Sequence, residues 1–295
     1  MAEFFQLVVT GLQIGAVYAI AACSIVLVFK ATQVLSITHG TMMALGAFSL
    51  WFLYNGLGLP LWLSLIFCVL IAGLLGFLVE RIAMRPLIGQ PVFSAFFMTF
   101  GLYIVLEAVY YTVLAGIPRG YAGLLPTQQF YVGDVAIYSG GLVIVGIALL
   151  VFLLIGLFFR YTGIGLRMRA ASEDHELAQS SGINVRQVFS LVWIGSGVIA
   201  GLAGIAAGNI LGIAVMLPLF IIIKALITAI VGGLDSIAGA LIAGLILGVA
   251  ESVSAGYVDP IVGGGFKEVA AILILMIVLM IRPYGIFGQV RIERI

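Results

Sequence analysis

The sequence predicts an all-α fold, a polytopic transmembrane helix bundle of about 8–9 spans, some of them broken or re-entrant. Three observations predict it. Of the 295 residues, 63% are hydrophobic and 8% are charged, whereas a soluble domain carries about 25% charged residues. The mean hydropathy is +1.29. The apolar residues are also gathered into runs close to the ~20 residues needed to cross a bilayer.

The runs give nine candidate spans, at 6–28, 34–54, 60–79, 92–114, 140–159, 188–209, 218–233, 237–255 and 266–281. The first is expected to be a retained span, because no Lys or Arg precedes Lys30 and no small-residue cleavage site comes after the run. The second, seventh and eighth are the least regular. Only Gly232-Gly233-Leu234-Asp235-Ser236 separates the last two of these. A broken span is tolerated only where its backbone faces protein or a watery cavity. Gly232 through Gly239 therefore reads either as a packing seam or as a broken helix, with packing favoured. The 38 glycines suit helices that approach closely in lipid. Cys23 and Cys68 lie in apolar runs without CxxC spacing and read as small packing residues. Residues 1–295 are expected to form one transmembrane domain. A net charge of +1 with no basic tail gives nucleic acid nothing to bind.

Charge sets the orientation. One set of flanks holds ten basic residues: Lys30, Arg81, Arg85, Arg160, Arg167, Arg169, Arg186, Arg282, Arg291 and Arg294. The opposite set holds Arg119 and Lys267. The positive-inside rule then predicts a cytoplasmic C-terminus and an outer N-terminus. It also makes 115–139 an outer loop and 160–186 an inner one.

The inner loop contains Glu173-Asp174-His175-Glu176-Leu177-Ala178-Gln179-Ser180-Ser181-Gly182. Acidic residues suit the first turn of a helix, with Ser172 as its N-cap and Gly182 as its stop. The expected product is a short cytoplasmic helix carrying Leu177, Ala178 and Ile183 on one side, able to sit in a groove on a partner. Local chemistry leaves an ordinary solvated loop equally open.

Ionisable groups within spans cost at least ~2.5–3.5 kcal/mol at a helix centre and are functional candidates by default. Glu107, Lys224 and Glu251 are such groups, all placed in the outer half. Lys224 is expected to pair with Glu107 or Glu251, either as a structural pin or beside a translocation path. His39, with Ser36, Thr38 and Thr41, marks the inner end of the second span. These groups can satisfy one another by hydrogen bonds or line a path.

No G-x-x-x-x-G-K-[ST] occurs, so this chain lacks a P-loop for ATP. Enzyme chemistry is not expected. No H-E-x-x-H occurs, and no histidine comes after Ser196 in the chain to serve it as a base. The remaining class is movement of a polar solute, by an ATP-driven assembly or by a stand-alone secondary transporter or channel.

Glu176-Leu177-Ala178-x-x-x-Gly182 is similar to the E-A-A-x-x-x-G core of ABC-transporter permeases. Further blocks run along nearly the whole chain. They are His39-Gly40 with Leu45-Gly46-Ala47, and Glu80-Arg81-Ile82-Ala83-x-Arg85-Pro86-Leu87. Next come Gly163-x-Gly165-x-Arg167-x-Arg169-Ala170, then Gly232-Gly233-Leu234-x-Ser236-Ile237-x-Gly239-Ala240, then Arg282-Pro283-x-Gly285-x-Phe287-Gly288. On these blocks the sequence resembles the H-type permease subunits of bacterial branched-chain amino acid ABC importers. Thr38, Thr41, Asp235 and Ala238 depart from the family pattern, and they bear on the solute more than on the fold. Relatives of this type are associated with urea and short amides as well.

The resemblance implies a permease in the bacterial inner membrane, working by alternating access. It implies two ATPase subunits that hold ATP and Mg, a second related permease, an external solute-binding protein, and no cofactor on this chain. It makes Glu173, Asp174, Glu176, Leu177, Ala178 and Gly182 the ATPase-coupling segment. Thr38, His39, Thr41, Lys224 and Glu107 become candidates for the translocation pathway.

Overall fold

The computed structural model describes residues 1–173 and 175–288, with side chains at all of them except 172, 173, 175 and 176. The elements are α1 (Ala2–Thr32), α2 (His39–Trp51), α3 (Leu61–Leu78), α4 (Val92–Leu114), β1 (Gln129–Val132), β2 (Val135–Tyr138), α5 (Ser139–Tyr161), α6 (Gly163–Glu173), α7 (His175–Ser180), α8 (Val185–Leu211), α9 (Leu217–Gly232), α10 (Ile237–Tyr257), α11 (Asp259–Val262) and α12 (Phe266–Ile281). Among the described residues, six helices are long and apolar enough to cross a membrane: α1, α3, α4, α5, α8 and α10. The described bundle is all-α apart from one antiparallel hairpin, β1–β2, inside the loop expected at 115–139.

Local chemistry explains most boundaries. Pro60 and Pro91 cap the starts of α3 and α4, where a missing N–H costs nothing. Ser236 and Asn184 accept from Gly239 N–H and Gln187 N–H at the starts of α10 and α8. Two helices end in π-turns: α2 runs on through Phe52–Gly56, and α3 through Val79–Met84 before the 3-10 turn Arg85–Leu87. The expected second span is broken at its start. Gln33 takes a left-handed conformation (φ 57°), donates its N–H to Phe29 O, and ends α1. Residues 33–38 then run without helix to His39. The eighth expected span is not irregular, since α10 is one continuous 21-residue helix.

Contacts sort the loops to two ends of the bundle. At one end Gln6 exchanges hydrogen bonds with the Ala136 backbone of β2 (2.9 and 2.7 Å). There Arg119 and Ile213 also pair backbone to backbone at 2.9 Å in both directions. At the other end Lys30 lies 5.7 Å from the Phe159 ring, and Gly233 packs on Gly288. Among the described residues, Lys30, Arg85, Arg160 and Arg282 lie toward this second end.

The core packing has an internal correspondence. Helices α1 and α8 lie against each other, and each also packs against the short helix that comes after the other: α1 on α9, α8 on α2. Helix α3 packs on α8 as α10 packs on α1. The pairs α2·α3 and α9·α10, and α2·α4 and α9·α12, match likewise. The two sets run in opposite directions between the ends, so the bundle contains an inverted-topology repeat. No sequence repeat announces it.

Glycine makes these approaches possible. A Cβ on Gly46 would stand 2.6 Å from Gly201 Cα, and one on Gly11 would stand 2.6 Å from Val249 Cα. Close backbone contact replaces the hydrophobic drive that lipid cannot supply. The outward faces of α3, α4, α5 and α12 carry exposed Leu, Ile, Phe and Met, as a lipid-facing surface does.

Candidate translocation and coupling sites

The break before α2 places a cluster of polar side chains deep in the bundle. Ser36, Thr38, His39, Thr41, Thr99 and Ser196 are all fully buried. His39 Nδ1 meets Ser36 Oγ at 2.9 Å, its Nε2 meets Ser196 Oγ, and its ring lies 5.6 Å from the Trp193 ring. Thr38 Oγ1 donates to Thr99 O (2.7 Å), and Thr41 Oγ1 donates to Thr38 O (2.8 Å). Each polar group in this cluster is therefore satisfied within the protein, as burial demands. Gly40 sits where a Cβ would touch Pro218 O and Ile222 Cβ at 2.6 Å, so the start of α2 abuts the first turns of α9. Two short helices thus begin face to face inside the bundle.

His39 and Ser196 were not linked by their order in the sequence, yet they touch. The pair ties α2 to α8.

Lys224 (α9) and Glu251 (α10) form the expected buried ion pair, Nζ to Oε1 at 2.6 Å. Tyr18 of α1 donates its hydroxyl to Glu251 Oε2 at 2.8 Å. One carboxylate therefore fastens three helices. Of the two partners expected for Lys224, Glu251 is the one found. Glu107 stands elsewhere, half-buried on α4, and accepts from Tyr103 OH at 2.9 Å.

The loop at 160–186 folds as two helices. Thr162 caps α6 by accepting from Gly165 N–H at 2.9 Å, and α6 continues to Glu173. Ser172 consequently lies inside a helix and is not the expected N-cap. The good helix formers from Leu166 to Ala171 carry the helix through it. Helix α7 comes next and stops at Gly182 (φ +82°), where Gly182 N–H donates to Gln179 O and Ile183 N–H to Ala178 O, both at 3.0 Å. Ala178 is buried against the bundle, while Leu177 is 65% exposed. They do not share a side, because adjacent residues on a helix differ by about 100°. Asp174 lies outside the described residues, as do the side chains of Glu173 and Glu176.

A second charged cluster carried no assigned role in the sequence. Glu80, fully buried at the end of α3, accepts from Arg85 Nε (3.0 Å) and Nη2 (3.1 Å). Ser190 of α8 bridges the two, donating to Glu80 Oε2 and accepting from Arg85 Nη2, each at 2.7 Å. The sequence signals were the Glu80–Leu87 block of the resemblance and the five-residue spacing of Glu80 and Arg85, which the π-turn brings to one face.

Cavities open at both ends. The one at the Lys30 end, expected to be the inner end, is about 590 Å³ and is lined by residues of the α1–α2 break, the 84–95 segment, Gln179 of α7, and Val185, Phe189 and Trp193 of α8. The one at the hairpin end, expected to be the outer end, is about 660 Å³ and lies between α1, α5, the end of α8 and residues 121–129. Neither His39 nor Ser196 lines either cavity. Tyr121 at the outer wall donates to Ala47 O at 2.8 Å. Burial holds the Tyr121 phenol well above its ordinary pKa, so it remains a donor. Among the described residues, no acidic or basic side chain lines either cavity.

A helix bundle with an apolar outer surface, inward-folded charges and a cavity at each end defines a multi-pass membrane protein of the solute-permease class. Residues 7–282 match the family described as branched-chain amino acid transport system / permease component, and the chain belongs to that family. It is 29% identical to the high-affinity branched-chain amino acid transport system permease protein LivH of Salmonella typhimurium, covering 99% of this chain and 98% of that one. It is 31% identical to the probable branched-chain amino acid transport permease protein LivH of Methanocaldococcus jannaschii, covering 90% and 87%. A solved structure titled PsaBC from Streptococcus pneumoniae in complex with Fab superposes with a TM-score of 0.48 at 17% identity, covering 97% of this chain and 94% of that one. At that score the likeness decides nothing further.

Proposed function

We propose that this chain imports branched-chain amino acids, or small solutes of like polarity, as one permease of an ATP-driven importer in a bacterial inner membrane. The observation that carries this reading is the end-to-end correspondence with the permease family, over residues 7–282. The two uncharged cavities at opposite ends of a closed middle support it, because alternating access needs an opening on each side and a barrier between.

In this reading residues 1–295 are one transmembrane domain crossing the membrane nine times, with α2, α9 and α12 as the short passes. The N-terminus lies outside and the C-terminus inside, in line with the basic flanks. ATP and Mg belong to two ATPase subunits, which dock on α7 and its Gly182 turn. Glu173, Asp174 and Glu176 supply acid at that surface, exposed Leu177 supplies an apolar contact, and Ala178 anchors the helix to the bundle. A second related permease completes the membrane core, and an external binding protein delivers the solute. The buried helix starts at His39 and Pro218 are where the middle opens. There Thr38, His39 and Thr41 would exchange mutual hydrogen bonds for the path, with Lys224 and Glu107 nearer the outside.

The test is gentle affinity purification of the chain from native membranes, with mass-spectrometric identification of the proteins that copurify with it. Recovery of P-loop ATPases and a second permease, lost in Glu176→Arg with Gly182→Val, is the expected result. Recovery of the chain alone, still moving solute in ATP-free liposomes, overturns the reading in favour of a stand-alone carrier or channel.

A further inference from the structure

We infer that the Lys30 end of α5 carries a seat for an anionic phospholipid, which lies along α5 with its phosphate among Lys30, Arg160 and Arg167. The inference goes beyond the import reading and rests only on the chain's place in a membrane. Helix α5 turns most of its surface away from the bundle. Leu150, Leu154, Leu157 and Tyr161 are all exposed, and their spacing puts them on one stripe of the helix. From Leu150 to Leu157 the stripe runs about 10 Å at 1.5 Å per residue, a hydrocarbon track for an acyl chain. Exposed Arg160, three residues past Leu157, heads the same face. Its guanidinium carbon lies 5.4 Å from the Tyr161 ring centroid.

The chain folds back at this point. A Cβ on Gly165 would stand 2.6 Å from Phe158 O and 2.7 Å from Phe159 Cα, so α6 is pressed against the last turn of α5. Exposed Leu166 and Arg167 are thereby held near the depth of the α5 end. Lys30 of α1 also reaches this turn, with Nζ 5.7 Å from the Phe159 ring centroid. Among the described residues, the ion pairs are Glu80–Arg85, Lys224–Glu251 and Lys267–Glu268, so none of the three cations is paired with a carboxylate.

The occupant of this face must bring negative charge to the membrane interface and hydrocarbon below it. An anionic phospholipid does both. Guanidinium groups donate in pairs to phosphate oxygens, and basic residues beside a membrane are drawn to its anionic lipids. A zwitterionic lipid carries a cation beside its phosphate and gains less. A second, related permease would bring basic flanks of its own to the same side, so that like charges meet. Helix α6 packs on α7, so the seat adjoins the helix proposed to meet the ATPase.

The experiment places the complete copurified complex in liposomes of phosphatidylcholine with a minor share of phosphatidylglycerol. A photoactivatable diazirine is carried near the headgroup of one lipid or the other, at the same level, and mass spectrometry maps the adducts on this chain. Adducts on residues 157–167 should favour phosphatidylglycerol by about tenfold or more. Arg160→Gln should lower that preference about fivefold, and Arg160→Lys should largely retain it. Lys30→Gln, Arg160→Gln and Arg167→Gln together should abolish it, while leaving adducts around exposed Leu142, at the far end of α5, unchanged. Equal labelling of 157–167 by the two lipids makes this an ordinary annular contact and overturns the seat. Absence of adducts there from either lipid, while Leu142 is labelled, also overturns it, because protein then covers the face. ATP-driven leucine uptake in the same liposomes reports separately on the import reading.

Discussion

Glu251 accepts from Lys224 and from Tyr18 at once, and this arrangement dictates what its removal does. Replacing one member of a buried ion pair leaves the other charge without compensation, at about 3–5 kcal/mol. Lys224→Met and Glu251→Gln should each destabilise the purified protein by that order, while Lys224→Met combined with Glu251→Leu should recover most of the loss. Thermal unfolding in detergent measures it. A double variant as unstable as the sum of the singles would contradict the pairing. The pair was legible in the sequence, because a charge in an apolar run stands out. Its third member was not, since a tyrosine in an apolar helix carries no such signal. Ser196 and Ser190 were unreadable for the same reason. A hydroxyl's partner is fixed by which helices cross, not by its neighbours in the chain.

The short elements carry the departures from regular helix. Proline and glycine revealed the starts of α3 and α4 and the stop at Gly182. The break at 33–38 contains neither, so the second span read as irregular without the position of its break being fixed. Its turn rests on Gln33 in a left-handed conformation and on buried hydroxyls that replace helical hydrogen bonds. The π-turns at Val79–Met84 and Phe52–Gly56 were equally silent. Gly182 provides the sharpest prediction at this scale. Its φ of +82° costs a side chain about 1–2 kcal/mol, and none of the described residues lies within 4 Å of a built Cβ. Gly182→Ala should therefore leave the bundle folded while displacing the end of α7. Transport per ATP hydrolysed should fall, and an unchanged ratio would separate this turn from coupling.

Over the whole molecule, composition was enough for the class. The inverted repeat was not legible, because it resides in which helix packs on which rather than in residue identity. Gly197 against Ala72, where α8 meets α3, and Gly244 against Ala19, where α10 meets α1, do similar work in the two halves with dissimilar neighbours. Orientation is checked with Tyr131→Cys in the hairpin and Leu166→Cys on α6, both exposed. Impermeant reagent should reach the first from outside the cell and the second only after the membrane is opened. Labelling of both from one side would refute an odd number of crossings between them.

The most direct measurement is leucine uptake by proteoliposomes holding this chain with its copurified partners and external binding protein. ATP is trapped inside or omitted. Accumulation should need ATP and be lost with Glu176→Arg. Equal uptake without ATP, or uptake by this chain alone, would contradict it.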